Sequence, residues 1–392
     1  MTSHSTLSNA RRACCGIALA LAAASIGSCA APATGTVRTT GAAGAAAADR
    51  SSADVRIAAD RAAPPTAPCG NPPVTLEKPA QDFLNQLAAA DGPPIYTLSY
   101  KAARQVLDKL QSGPVAKLPA DISERTVPGG PTGRVSVRIV RPAGVRGTLP
   151  GIVYIHGGGW VLGNAMTHDR LVRQIANGAR AAVVFVNYTP SPEARFPVAI
   201  EQAYTVARWL ARNGGSIGVD PRRLAVAGDS VGGNMTAAVT LMAKQRGGPR
   251  FRQQVMLYPV TDSRFDTASY KRFAEGCWLT RPAMKWFWDA YTPDARVRNQ
   301  PLASPLRATT AQLRGLPPAL LITDSDVLYD EGTAYAAKLR KAGVPVTNTH
   351  YPAITHDFLM LNALAGTRSA KQAIAQVNEI LRDALYAPGH GK

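Results

Sequence analysis

Gly228-Asp229-Ser230-Val231-Gly232-Gly233-Asn234 follows the apolar run Leu224-Ala225-Val226-Ala227 and precedes a stretch with the composition of a helix. A Gly-x-Ser-x-Gly segment between a buried strand and a helix makes a sharp turn that lifts the serine hydroxyl above a sheet. The small residues on either side let the chain fold back on itself. Upstream, His156-Gly157-Gly158-Gly159-Trp160 follows a second apolar run, Ile152-Val153-Tyr154-Ile155. Its glycines offer backbone amides that can be aimed at a developing oxyanion. A serine pentapeptide alone is a weak signal. Two motifs in this order, each closing a strand, make a strong one for acyl transfer.

Working outward, apolar runs at 182–186, 255–258 and 319–323 also read as strands, and 134–141 alternates Val135, Val137 and Ile139 against polar partners, as a half-exposed strand does. Helical spacing marks 82–90, 98–111, 167–177, 197–212, 234–244, 329–342 and 369–387. Wholly apolar strands separated by helices predict an α/β architecture, a mostly parallel central sheet with helices on both faces. Between Pro259 and Leu316 no strand is expected, yet Trp278, Trp286 and Trp288 gather there with Phe273, Phe287 and Tyr291. That interval predicts a helical cap from about 262–313, completed by 75–112, whose aromatics wall an acyl pocket.

The 392 residues are 46% apolar and 18% charged, with a formal net charge of +18. This suits a globular enzyme with a large core and excludes a disordered chain. Residues 1–29 add only Arg11 and Arg12 to the excess, so the basic balance belongs to the body and favours anionic surfaces. The chain has neither a long Lys/Arg block nor a nucleic-acid motif, and no nucleic-acid partner is expected. Arg11-Arg12, an apolar stretch at 17–26 too short to span a bilayer, and Ile26-Gly27-Ser28-Cys29 read as an export signal over 1–29. The signal is of lipoprotein type, with membrane attachment through lipidated Cys29; the alternative is plain secretion after cleavage near 30–34. Residues 30–72, rich in Ala, Pro, Thr, Gly and Ser, read as a flexible tether, and 73–388 as the catalytic body.

With Cys14, Cys15 and Cys29 in the leader, Cys69 and Cys277 remain. Nothing in the sequence supports a bridge, so two unpaired thiols are expected. No Cys/His spacing suggests zinc, and neither a metal nor a cofactor is expected.

A serine hydroxyl needs a base to take its proton and an acid to orient that base. With these two motifs the chain order is serine, acid, histidine. His168 precedes the serine at a helix start and reads as a capping or surface residue, while His350 lies on the exposed face of a strand-like run, 346–351. His356, in the loop between that run and the last helix, holds the position of a base. Asp330 and Glu331 fall in the first turn of a helix, where the dipole and free amides are sufficient reason for a carboxylate. Local physics leaves Asp324 and Asp326 close as acids. Asp229 reads as a brace for the elbow.

Taken with Ser191-Pro192-Glu193-Ala194-Arg195-Phe196-Pro197, Asp326-Val327-Leu328-Tyr329-Asp330-Glu331-Gly332 and His356-Asp357-Phe358, these motifs resemble the hormone-sensitive-lipase-like branch of the α/β-hydrolases, the bacterial family IV carboxylesterases, over about 80–386. The resemblance implies an α/β-hydrolase fold and a cofactor-independent serine carboxylesterase acting on short- to medium-chain acyl esters of small molecules. It assigns Ser230 as nucleophile, His356 as base and Asp326 as acid, with the amides of Gly158, Gly159 and Val231 as oxyanion hole. His156 is expected to hold the glycine loop, and Glu193 with Arg195 to form a structural pair or loop brace. Three positions depart from the family pattern: Val231 for alanine, Asp357 for glycine and Tyr329 for arginine. None removes a reacting group. The same triad could act on amides, carbamates or acetylated carbohydrates. A capped receptor that binds without turnover is the reading from another class, and the presence of His356 counts against it.

Overall fold

Strands made wholly of Val, Ile, Leu and Ala have no face to offer water, so they belong in a sheet covered on both sides. The computed structural model describes residues 67–388 and places them there. The leader with Cys29 and most of the tether lie outside the described residues.

The strands are β1 (Ala120–Pro128), β2 (Arg134–Pro142), β3 (Leu149–Ile155), β4 (Ala182–Asn187), β5 (Val219–Asp229), β6 (Gln253–Leu257), β7 (Ala319–Asp324) and β8 (Val346–Tyr351). They form one sheet in the order β1-β2-β4-β3-β5-β6-β7-β8. The pairs β1–β2 and β2–β4 are antiparallel and every later pair is parallel. Strand β1 was not expected: only Val127 of its nine residues is buried, and the rest forms an exposed edge. Every residue of β3, β6 and β7 is buried.

Helices α3 (Asp169–Ala179), α4 (Val198–Asn213), α5 (Val231–Gln245), α10 (Tyr329–Lys341) and α11 (Arg368–Tyr386) cover the sheet, with α3 packed on α11 and α4 on α5. Met256 and Leu321 of the sheet join α5 and α10 in a second apolar cluster. Helix α5 is buried from Val231 through Ala243, as its Gly, Ala, Val and Met content allows. Among the described residues no helix is long and apolar enough to cross a membrane.

The remaining helices are α1 (Lys78–Ala89), α2 (Tyr100–Gln111), α6 (Ala268–Arg272), α7 (Arg281–Tyr291), α8 (Ala295–Arg298) and α9 (Thr310–Leu313). The segment carrying α1 and α2 meets the one carrying α6 to α9 through rings: Tyr100 stacks on Trp286 at 5.0 Å and Phe83 lies 5.5 Å from Trp278. Asp330, at the start of α10, accepts the Ser269 amide of α6 at 2.7 Å.

Two expectations are corrected here. Cys69 and Cys277 are not free thiols but a disulfide, closed across 208 residues of sequence. Such a pairing leaves no mark on local composition, and in the chain-entropy picture a crosslink over so long a loop restricts the unfolded chain by about 5 kcal/mol. Residues 67–72, assigned to the tether, belong to the body: the Ala67 amide donates to Asn85 Oδ1 at 2.9 Å and Cys69 is fully buried. The folded region therefore starts before residue 73.

Candidate active site

Ser230 stands between β5 and α5 with φ +53°, a conformation that a non-glycine residue keeps only where its surroundings enforce it. Its amide donates to Leu257 O at 2.8 Å, which pins the turn to the end of β6. Gly232 is required for packing, since a Cβ there would run into the carbonyl of Ile155 at the end of β3. The elbow is tight because the helix and β3 meet with no side chain between them.

The loops after β7 and β8 bring Asp326 and His356 to the same edge of the sheet as Ser230. His356 Nε2 lies 3.0 Å from Ser230 Oγ, and His356 Nδ1 lies 2.5 Å from Asp326 Oδ2. The second oxygen of Asp326 accepts the Leu328 amide at 2.8 Å, so the carboxylate is held from both ends. All three residues are buried. This geometry can draw the proton from Ser230 Oγ to Nε2 while Asp326 fixes the tautomer.

The structure brings Asp326, and not Asp324, to the imidazole. Both carboxyl oxygens of Asp324 are buried without a hydrogen bond among the described residues. Burial, then the charge of Asp326, raise its pKa well above the ordinary carboxylate range, which favours a neutral acid. Asp324, Asp326 and His356 do place three possible ligand atoms within 4.8 Å of one another. Asp326 already engages Nδ1, however, so the trio fits the acid side of a proton relay better than a cation site.

On the facing side, Gly158 and Gly159 have φ +99° and +64°. A Cβ on Gly159 would overlap the ring of Phe287 in α7, so this loop can approach α7 only as glycine. Among the described residues no hydrogen bond claims the amides of Gly158, Gly159 or Val231, which are the groups expected to hold an oxyanion. Val231 is fully buried in the core and does not line the cavity, so its branch leaves the site uncrowded. Trp160 stacks on Tyr291 at 4.0 Å and meets Trp288 edge-on, anchoring the far end of the loop.

Under this loop lies a buried polar group. His156 Nδ1–H donates to Gly157 O at 2.8 Å, and its ring stacks on Tyr188 at 4.2 Å. Burial, helped by the nearby charge of His168, pushes its pKa down to about 3, so it holds the loop as a neutral ring, as expected. Asp229 accepts from Tyr154 Oη at 2.6 Å and faces His168 Nε2 at 3.2 Å. His168 does occupy the cap position of α3, as expected, but its side chain makes no capping bond and it is not a surface residue: it is fully buried beneath the glycine loop. His350 is exposed on β8, as expected, and lies 4.3 Å from the Tyr329 ring.

Glu193 does not pair with Arg195. It takes a two-pronged contact at 2.6 and 2.8 Å from Arg104 of α2, which also donates to Val161 O and Ser191 O. Arg104 joins α2 to the glycine loop after β3 and to the loop after β4. Sequence reading missed it, because an arginine on a polar helix face looks like any solvated one.

The serine opens into a narrow cavity of about 40 Å³. Ile95, Leu107, Trp278, Met284 and Phe287 wall it, so both predicted cap segments contribute. Asp357 lines it too, a carboxyl where the family pattern has glycine, with φ +63°.

Comparison with known proteins bears on the family and the class of activity. A family profile described as the alpha/beta hydrolase fold matches residues 152–360. A carboxylesterase of Mycobacterium tuberculosis is 36% identical over 307 residues, covering 78% of this chain and 93% of its own. An ethyl acetate hydrolase of Pseudomonas putida is 37% identical over 252 residues, 64% of this chain and 78% of its own. Among solved structures, a thermostable esterase from Pseudomonas putida superposes with a TM-score of 0.79 at 49% identity, covering 80% of this chain and 99% of its own.

Proposed function

Because this chain belongs to the α/β-hydrolase family and is a carboxylic ester hydrolase, we propose that it cleaves short- to medium-chain acyl esters through Ser230, His356 and Asp326, by way of an acyl-enzyme. Ser230 Oγ attacks the ester carbonyl as His356 Nε2 takes its proton. Asp326 holds Nδ1–H and stabilises the imidazolium. The carbonyl oxygen gathers charge against the amides of Gly158, Gly159 and Val231. His356 then hands its proton to the departing alcohol, and water repeats the sequence on the acyl-enzyme.

The observation that carries this reading is the pair of contacts at 3.0 and 2.5 Å on the floor of a narrow apolar cavity. The cavity's small volume favours short acyl groups. The test is initial rates on p-nitrophenyl esters from acetyl to palmitoyl, with Ser230→Ala in parallel. Rates peaking at the short end are expected. Inertness towards every ester, with turnover of anilides or acetylated sugars, would overturn the ester reading in favour of the same triad acting on other acyl bonds.

The pH profile follows from the surroundings of His356. Burial pulls the imidazole pKa down. The carboxylate of Asp357, the hydrogen bond and charge of Asp326 and the charge of Asp229 outweigh it and raise the pKa above 6.5. Only neutral His356 can accept the serine proton, so kcat/KM should fall as pH drops through a value above 6.5. Asp357→Asn removes the largest of the raising charges, and its acid limb should lie at lower pH than that of the wild type. A limb that stays in place would show that Asp357 does not act on His356.

A further inference from the structure

Asp357 Oδ2 accepts the indole N–H of Trp278 at 2.9 Å. Its other oxygen, Oδ1, is buried, has no hydrogen-bond donor among the described residues, and stands 3.4 Å from His356 Nε2. That is the nitrogen Ser230 Oγ reaches at 3.0 Å. Nε2 therefore faces two oxygens: the nucleophile, and a carboxylate oxygen in the wall of the cavity.

A buried carboxylate oxygen is strongly disfavoured without a donor, and Asp357 lines the cavity, so a molecule entering there can supply one. Resting on the acyl-enzyme reading, we propose that Asp357 selects water as the acyl acceptor. The attacking oxygen must place one hydrogen on Nε2, which leaves it close to Oδ1. Water has a second hydrogen to give to Oδ1, whereas an alcohol carries carbon there and leaves the carboxylate unpaired. In deacylation the water O–H bond breaks, its proton passes to Nε2, and its oxygen bonds the acyl carbon. The bond from that carbon to Ser230 Oγ then breaks as Oγ takes the proton back from Nε2. Asp357 accepts a hydrogen bond throughout and gains no proton. Its place is that of a positioning residue, biasing the enzyme towards hydrolysis and against acyl transfer to alcohols.

The test is the partition of one acyl-enzyme between two acceptors. With p-nitrophenyl acetate as donor and a fixed concentration of methanol, the ratio of methyl acetate to acetate is measured for wild type, Asp357→Asn and Asp357→Gly. The ratio is set after the acyl-enzyme forms, so losses in acylation or folding yield do not move it. Asparagine keeps the size and can still accept from Trp278 through its carbonyl, which turns a donor towards Nε2. Glycine suits φ +63° and removes the group.

Both variants are expected to raise the ratio about tenfold, the scale of a hydrogen bond to a charged acceptor. A ratio unchanged in both overturns the inference. A rise in Asp357→Gly alone also overturns it, since that would reflect room for methanol. Rapid acid quench and mass spectrometry of wild type check the acyl group on Ser230 separately. No trapped acyl group and no methyl acetate from wild type would sink the acyl-enzyme reading itself, and the inference with it.

Discussion

Ser230→Ala is expected to lower kcat for p-nitrophenyl acetate by roughly a millionfold, leaving only what oxyanion donors and binding supply. The substitution deletes one oxygen at a site whose backbone is held by the Leu257 contact and by the packing of Gly232 against β3. The midpoint of thermal unfolding should therefore move little, and calorimetry run beside the assay separates lost chemistry from lost fold. A variant keeping more than about one percent of wild-type turnover would show that another group attacks the ester.

The second large effect distinguishes two aspartates that stand two positions apart. Asp326→Asn should reduce kcat by about ten-thousandfold, because an amide facing Nδ1 no longer enforces the tautomer that leaves Nε2 free to accept. Asp324→Asn should cost about tenfold or less. Asp324 is buried and favoured as a neutral acid, so an amide of the same shape replaces it without removing a charge. The measurement is kcat for both variants at a pH above the acid limb. The opposite ranking would place the orienting acid at Asp324.

That pair also marks how far the sequence can be read. Composition and spacing led to both aspartates and stopped there, since each follows the same strand and only the path of the loop decides which one turns towards His356. The resemblance pointed to Asp326, the residue the fold brings to the imidazole. The inner strands β3, β4 and β7 were legible because a strand buried on both faces is apolar almost throughout. Strand β1 was not, since an edge strand with one buried residue out of nine carries no pattern.

Long-range pairings were equally silent. The Cys69–Cys277 bond, the grip of Arg104 on Glu193 and the burial of His168 against Asp229 are properties of how distant segments meet. His168 looked like a surface residue because its neighbours in sequence suggest a helix start, while its neighbours in space are the elbow and the glycine loop. Asp357 was visible as a departure from the glycine of related chains. Its free oxygen was not, because that depends on Trp278 taking the other one.

The disulfide has a mechanical consequence as well. Chain preceding residue 67 joins the body beside Cys69, which is bonded to Cys277, and the next residue, Trp278, walls the cavity and holds Asp357. The N-terminal side of the body is therefore joined by a covalent bond to the segment that walls the reaction chamber. A support fastened to that end, such as a resin in a reactor, would be linked through Cys69 and Cys277 to the wall that shapes substrate entry.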